Sequence, residues 1–585
     1  MFENKLKNYY TNCIKAIEEN KLYQYLFLLV IIVVMMNFYH SSYWLRLGSG
    51  DFDLTYFTLE VAKKSFHNYN QIPLWNPWSI GGINFLANPQ TMHYGFLYFP
   101  IYFLKTPIAV KIIIILYFYL GICGMYSLLR IKNISIWVSL WGATIFSCTS
   151  YFTWHVLAAG HMNTLSILLT PWLLYTYENY IKSKKLAFIN FLIPILIYYN
   201  LIVSGASYAL IYTPIFIFLY VLSICLQEKR NYKVLTYIAF TILFGYGLSF
   251  WKLLPSLHYI SDVPREYHDT TRIGLFQLLQ VFTDHAPNKL NDSFTYHGWW
   301  EYGAYFEIIG LLLLFYFRKS IQLSYYTIGF ASLILWFSMG NIPNHVNPWN
   351  LLNSYVPIFN NLRAPTRAII YVILLFCIWL PEVIDKNRKQ HPILKLIMIS
   401  WLISLWATNF AITTVFSESE KIKYITNNNE YTLLKYTDSV IHNSPGIMYN
   451  HIQQNISILN GYEPLPSKNF GFTKFNHDKK YQLIEDSTAR IVSFSPNEIE
   501  ILVDSNTKSL LINQNYDQGW KIVEGKGDLI NDYGLIKIIN PSSNIKLKFE
   551  PAYYQIGLRL SIVFAVIIFS IIIMIEMKKN ILPIH

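Results

Sequence analysis

The chain has 585 residues, of which 53% are hydrophobic, 17% aromatic and only 14% charged, with a mean hydropathy of +0.30. A soluble chain carries about 25% charged residues, so a cytosolic enzyme, a disordered chain and a fibrous repeat are all excluded. The formal charge of +12 does not mark a nucleic-acid partner, because the basic residues sit in short loops between apolar segments. Of the five cysteines, Cys123, Cys148, Cys225 and Cys377 lie inside apolar runs and Cys13 in the basic N-terminal stretch. None has the spacing of a disulfide framework or a metal site.

A membrane-spanning helix needs about 20 apolar residues, since hydrocarbon offers no partner for an unpaired backbone group. The first run, 22–40 (LYQYLFLLVIIVVMMNFY), is too long for a signal peptide and has no small-residue cleavage site after it. It reads as a retained anchor. Further runs fall at 106–129, 134–153, 162–177, 186–204, 206–226, 234–255, 303–317, 322–338, 366–384, 394–414 and 556–576, an expectation of about twelve spans. With the N-terminus inside, every inner loop is basic: Arg130/Lys132, Lys182/Lys184/Lys185, Lys229/Arg230/Lys233, Arg318/Lys319, Lys386/Arg388/Lys389 and Lys578/Lys579. The positive-inside rule then puts both termini in the cytoplasm.

The fold class expected is therefore a polytopic α-helical membrane protein with a C-terminal extracytoplasmic β-rich domain. A membrane domain covers 1–414 and includes a folded first outer loop at 40–105. The β-rich part covers 415–555, and a final span with a short tail covers 556–585. Within 415–555, runs such as ARIVSFSPNEIEILVDSN and GLIKIINPSSNIKLKF alternate apolar and polar residues between Asn, Asp, Gly and Pro turns, a strand pattern that predicts a small sandwich.

Chemistry concentrates in the outer loops. Asp51 and Asp53 follow the first span in GSGDFDLTYF. In extended chain an i, i+2 pair shares one side, so the two could bind a divalent cation or divide the work of a general base. The plainer alternative makes Asp53 a helix cap. The segment PLWNPWSIGGINFLANPQ follows, rich in conformationally fixed residues. Its Trp75, Asn76, Trp78, Asn88 and Gln90 offer aromatic faces and amides that suit a sugar ring, or in the case of the tryptophans an interfacial belt.

Arg363 and Arg367, in NNLRAPTRAII, stand at the outer start of a span. Pro365 suits a first helical turn, and guanidinium groups at that already positive end make a receptor for phosphate. Lys252, in SFWKLLPSLHY, is a second cationic candidate that snorkelling would equally explain. The loop at 256–302 carries Asp262, Arg265, Glu266, His268, Asp284, His285, His297 and Glu301, and Glu307 follows in the outer part of the next span. His155 and His161 bracket a short turn and could ligate a metal, but their six-residue gap matches no standard metal signature and the reading for them is ordinary hydrogen-bonded histidines. Walker, HExxH, GxSxG and CxxC motifs are missing from the sequence.

Taken together, four features resemble the GT-C superfamily of membrane glycosyltransferases, and its bacterial YfhO-like branch most closely. They are the first-loop acids, the PLWNPWSIGGINFLANPQ segment, the PIFNNLRAPTRAII segment, and a late β domain with the stretch SLLINQNYDQGWKIV before a last span. The resemblance implies a bacterial inner-membrane enzyme that moves a sugar from a polyprenyl-phosphate carrier to a glycan, polymer or protein acceptor outside. It also implies a donor synthase and a flippase as partners. By that resemblance Asp53, or Asp51, activates the acceptor. Arg363, Arg367 and Lys252 grip the donor phosphate, and Trp75, Asn76, Asn88, Gln90, Glu301 and Glu307 line the substrate. The Asp-Phe-Asp order departs from the adjacent acids of better-known relatives and leaves open both the base and a divalent metal on Asp51 and Asp53. The competing readings are a lipid-linked sugar flippase or transporter and a polysaccharide polymerase or ligase.

Overall fold

The computed structural model describes residues 15–183, 187–228, 232–262, 272–284, 299–317, 325–341, 346–418, 435–437, 446–458, 483–484 and 488–581. Arg265, Glu266, His268, His285 and His297, with Cys13 and several of the basic loop residues, lie outside them. Among the described residues five helices are long and apolar enough to cross a membrane: Thr106–Ile131, Ser207–Glu228, Pro365–Asn387, Ile393–Thr414 and Tyr553–Met577. The chain is a multi-pass membrane protein.

Among the described residues the remaining expected spans are shorter or broken. Lys21–Met35, Phe188–Val203 and Tyr325–Ser338 are apolar helices of 10–17 residues. The run at 134–153 gives a helix over Ile136–Ser147 and a single helical turn at Ser150–Phe152. That at 162–177 opens as a 3₁₀ turn, Met162–Leu169, and that at 303–317 is helical over Ile308–Tyr316. The run at 234–255 bends by 81° between Lys233–Leu248 and Phe250–Ser261. Ser249 stands at the break, its hydroxyl donating to Tyr246 O at 2.8 Å, and such back-bonding competes with the helical ladder. The second arm packs beside the final helix, where Gly557 leaves room for the Phe250 carbonyl.

Among the described residues the late domain holds two antiparallel sheets, beside a parallel pair of Lys435–Thr437 with Ile456–Ile458. One has four strands in the order Ala489–Ser495, Glu498–Val503, Asn544–Phe549, Trp520–Glu524; the other has Ser509–Asn515, Leu535–Ile539, Asp528–Asp532. Alternation decides which face is buried. Ile499, Ile501 and Val503 turn inward from one sheet and Leu510, Ile512, Ile536 and Ile538 from the other, into a single core. This is the expected sandwich.

Among the described residues two helices join the bodies, Phe52–Tyr69 and Ile447–Gln453, the second placing Tyr449 in the membrane core and Met448 and Ile452 in the sandwich core. Phe52–Tyr69 sends Phe52, Tyr56, Leu59 and Ala62 into the membrane core and Phe57 and Val61 into the sandwich core. It ends at Asn70 in the left-handed conformation, a common helix stop. The loop after it is stitched to the sandwich by backbone and amide bonds. Asn515 donates from its amide to Ile80 O at 2.6 Å and Gly82 O at 2.8 Å, and Ile80 N donates to Ile458 O at 2.7 Å. These bonds hold Ile80 at φ 52°, a conformation that a β-branched residue avoids unless its surroundings impose it.

Candidate active site at the first loop

The two first-loop carboxylates part company. Gly50 and Gly160, at φ +61° and +76°, let the first loop lie against the turn that follows a π-helical stretch at Thr153–Ala158. A Cβ on Gly50 would come within 2.5 Å of the Ala159 carbonyl, and one on Gly160 within 2.5 Å of Phe52 N. The close approach is sealed by Asp51 N donating to Ala159 O at 2.8 Å and the Ser49 hydroxyl to Ala158 O at 2.8 Å. It places Asp51 Oδ2 3.7 Å from His161 Nε2. Asp51 stays partly exposed and lines a small polar cavity with Asn76, Asn88, Gln90 and His161.

Asp53 faces the sandwich side. Its two oxygens accept from Met448 N at 3.0 Å and Tyr449 N at 3.1 Å. Burial pushes its pKa up, and those two bonds pull it part of the way back. The acid expected as first choice for the base thus ties the first loop to the segment 447–453. Asp53 gives each oxygen to a backbone donor while Asp51 faces the cavity, so the two carboxylates turn to different partners.

Behind Asp51 lies a buried polar group that the sequence reading left scattered. Arg367 donates from Nε to Glu301 Oε2 at 2.9 Å and from a terminal nitrogen to Glu301 Oε1 at 2.7 Å. The same terminal nitrogen is 3.4 Å from His161 Nδ1, and the guanidinium lies 4.4 Å over the Tyr208 ring. A nitrogen facing a guanidinium must accept, so His161 carries its proton on Nε2, toward Asp51. His155 Nδ1–H then donates to His161 Nδ1 across 3.2 Å, which leaves His155 Nε2 buried with no hydrogen-bond partner among the described residues. Burial and then Arg367 hold the His161 pKa down. For Glu301, burial alone would raise the pKa, but Arg367 and His161 hold it well below the usual carboxylate range. His155, His161 and Glu301 also bring one ligand atom each within 4.8 Å of one another.

The other expected residues divide between cavity and scaffold. Asn76 accepts from Trp78 N at 3.0 Å and Asn88 from Gln90 N at 2.9 Å, so both amides set the shape of the cavity wall. Trp75 is in the sandwich core instead, against Trp520 and Phe549, with its indole N–H on Gln514 at 2.7 Å. Trp78 likewise donates to Asn455 at 2.8 Å. Lys252 is buried and reaches Asn88 O at 3.2 Å and the Thr91 hydroxyl, which fixes the loop below Gln90 rather than presenting an open cation. Glu307 lies apart, at φ 74° and buried, and is not among the residues lining the cavity. Arg363 N donates to the Tyr208 hydroxyl at 3.2 Å, and its charge is felt at His161.

A second cavity of about 550 Å³ adjoins the first. Its walls are Leu201, Ile202, Leu210, Leu253, Leu257 and Leu362, with Asn360 and Asn361 at hand. Gln90 lines both cavities, so the polar and apolar spaces share a wall. His155 and His161, read from sequence as ordinary hydrogen-bonded histidines, are the residues whose place beside Arg367 and Glu301 the sequence did not show. Their signal was weak: a Gly between a Trp-His turn and a second His.

No family model and no curated protein matches the chain. Among solved structures, the cryo-EM structure of the arabinofuranosyltransferase AftD from Mycobacteria superposes with a TM-score of 0.43 at 14% identity. The match covers 67% of this chain and 27% of that one. A likeness so loose carries no argument about activity.

Proposed function

We propose that the chain is a membrane glycosyltransferase of the GT-C kind, taking a sugar from a polyprenyl-phosphate donor on the extracytoplasmic face of a bacterial inner membrane. The observation that carries this reading is the wall shared through Gln90 between an acid-bearing polar cavity and a large apolar one. A donor with a lipid tail and a sugar head needs those two environments side by side. The isoprenoid would occupy the apolar cavity, and the phosphate would lie toward Asn360, Asn361 and Arg363. The sugar would lie at Gln90 and Asn88.

Asp51 is the proposed base. The acceptor hydroxyl attacks the anomeric carbon, its proton passes to the Asp51 carboxylate, and the bond from that carbon to the phosphate oxygen breaks. Polyprenyl phosphate leaves with the electron pair. Prepared donors near the phosphate stabilise the charge that develops there. The basic inner loops support about twelve spans with both termini cytoplasmic. A donor synthase and a flippase would then supply the outward-facing donor.

The test is a membrane assay with labelled polyprenyl-phosphate sugars and a panel of glycan acceptors. Wild type transfers label, while Asp51→Asn and Arg363→Ala lose it at matched protein level. If both variants transfer as wild type does, the site is misplaced. A wild type that moves donor across vesicles without transferring sugar favours the flippase reading.

A further inference from the structure

His155, His161 and Glu301 bring together the residue types of a transition-metal site, with one ligand atom each within 4.8 Å of one another. Imidazole and carboxylate suit such ions, and two nitrogens bound at about 2.1 Å in tetrahedral array stand roughly 3.4 Å apart, close to the 3.2 Å between His155 Nδ1 and His161 Nδ1. All three side chains are buried. Yet both Glu301 oxygens already accept from Arg367, and the guanidinium also faces His161 Nδ1. Arginine cannot shed its proton to make way for another cation.

We infer that Arg367 is the built-in cation of this site, standing where a divalent ion would bind His155, His161 and Glu301, so that the wild-type protein takes up no metal there. The guanidinium neutralises Glu301, fixes the tautomer of both histidines, and turns His161 Nε2–H toward Asp51. Its consequence for catalysis rests on the sugar-transfer reading: transfer uses no metal held by His155, His161 and Glu301, and Arg367 acts as a positioning residue through Glu301 and His161. The occupancy claim stands without that reading.

The experiment measures metal content and zinc binding on the full-length protein in nanodiscs after chelator treatment. Wild type should hold well under one zinc per chain at this group and show no tetrahedral cobalt absorption, whereas Arg367→Met should gain about one zinc. That gain should vanish in Arg367→Met combined with His161→Ala, and Arg367→Lys, which keeps the charge, should bind none. One zinc in wild type that His161→Ala removes would overturn the inference, as would a folded Arg367→Met that binds none. Should Arg367→Met fail to fold, the wild-type zinc and cobalt measurements decide alone. In the transfer assay, a wild-type rate that holds within about twofold in chelator supports the consequence, and loss of rate restored by zinc that binds at this group would overturn it. Absence of transfer under all conditions would count against the sugar-transfer reading and leave the metal result standing.

Discussion

Asp51 and Asp53 are two residues apart and face different bodies. Asp51 lies against the turn at Ala159 and looks into a polar cavity, while Asp53 is taken up by two backbone N–H groups of the segment that leads into the sandwich. The difference teaches that an acid is suited to proton transfer when some of its lone pairs remain unclaimed. Asp53 has partners on both oxygens and burial behind it. Asp51 has a histidine at ion-pair distance and open space before it.

The largest separation between the two ends should come from removing the acids one at a time. Asp51→Asn should lower sugar transfer by about 10²–10⁴-fold, the usual cost of losing a general base, with the thermal midpoint unchanged. Equal transfer by the variant would erase the contrast. Next is the buried pair behind Asp51. Glu301→Gln leaves the Arg367 charge without its partner and should cost about 3–5 kcal/mol of stability, read by thermal unfolding in detergent. Because the Glu301 pKa is depressed in the folded protein, its contribution is complete above the ordinary glutamate value of about 4.3. It fades as pH falls below that value toward the folded one. The unfolding midpoint should therefore drop with acid in wild type and flatten in Glu301→Gln.

A smaller effect is expected at the other end. Asp53→Asn can keep only one of the two backbone bonds, so it should loosen the joint by about 1–3 kcal/mol and raise proteolysis between the sandwich and the first loop. Transfer by the folded fraction should persist. The smallest effect is expected in the apolar cavity, where Leu257 is 45% exposed and tolerates change. Leu257→Asp should raise the donor KM about tenfold, equal to roughly 1.4 kcal/mol, and leave kcat for saturating donor near wild type.

The membrane character, the sandwich and the folded first loop were legible because each is written in local pattern: long apolar runs, period-two alternation and a dense Pro-Gly-Trp-Asn segment. The division between the two acids was not, because it depends on Met448 and Tyr449, nearly 400 residues away. Trp75 misled for the same reason. An exposed-looking tryptophan in a loop is indistinguishable in sequence from one that fills a core with Trp520 and Phe549. Arg367 was read as a phosphate ligand from its place at a helix start, and only the partner Glu301, from a different loop, shows that its charge is already spoken for. The bend near Ser249 escaped notice because hydropathy averages over a break that a single hydroxyl can make.

The central claim is that the apolar cavity and the Asp51 cavity act as one donor site, and crosslinking reads it directly. A polyprenyl-phosphate carrying a photoreactive group in its first isoprene units, irradiated with the protein in nanodiscs, should label Leu201–Leu210, Leu253–Leu257 and 357–362. Unlabelled donor should compete that labelling away. Labelling confined instead to the separate apolar pocket beside Tyr212 and Phe337, or spread over the lipid-facing helices without competition, would contradict it.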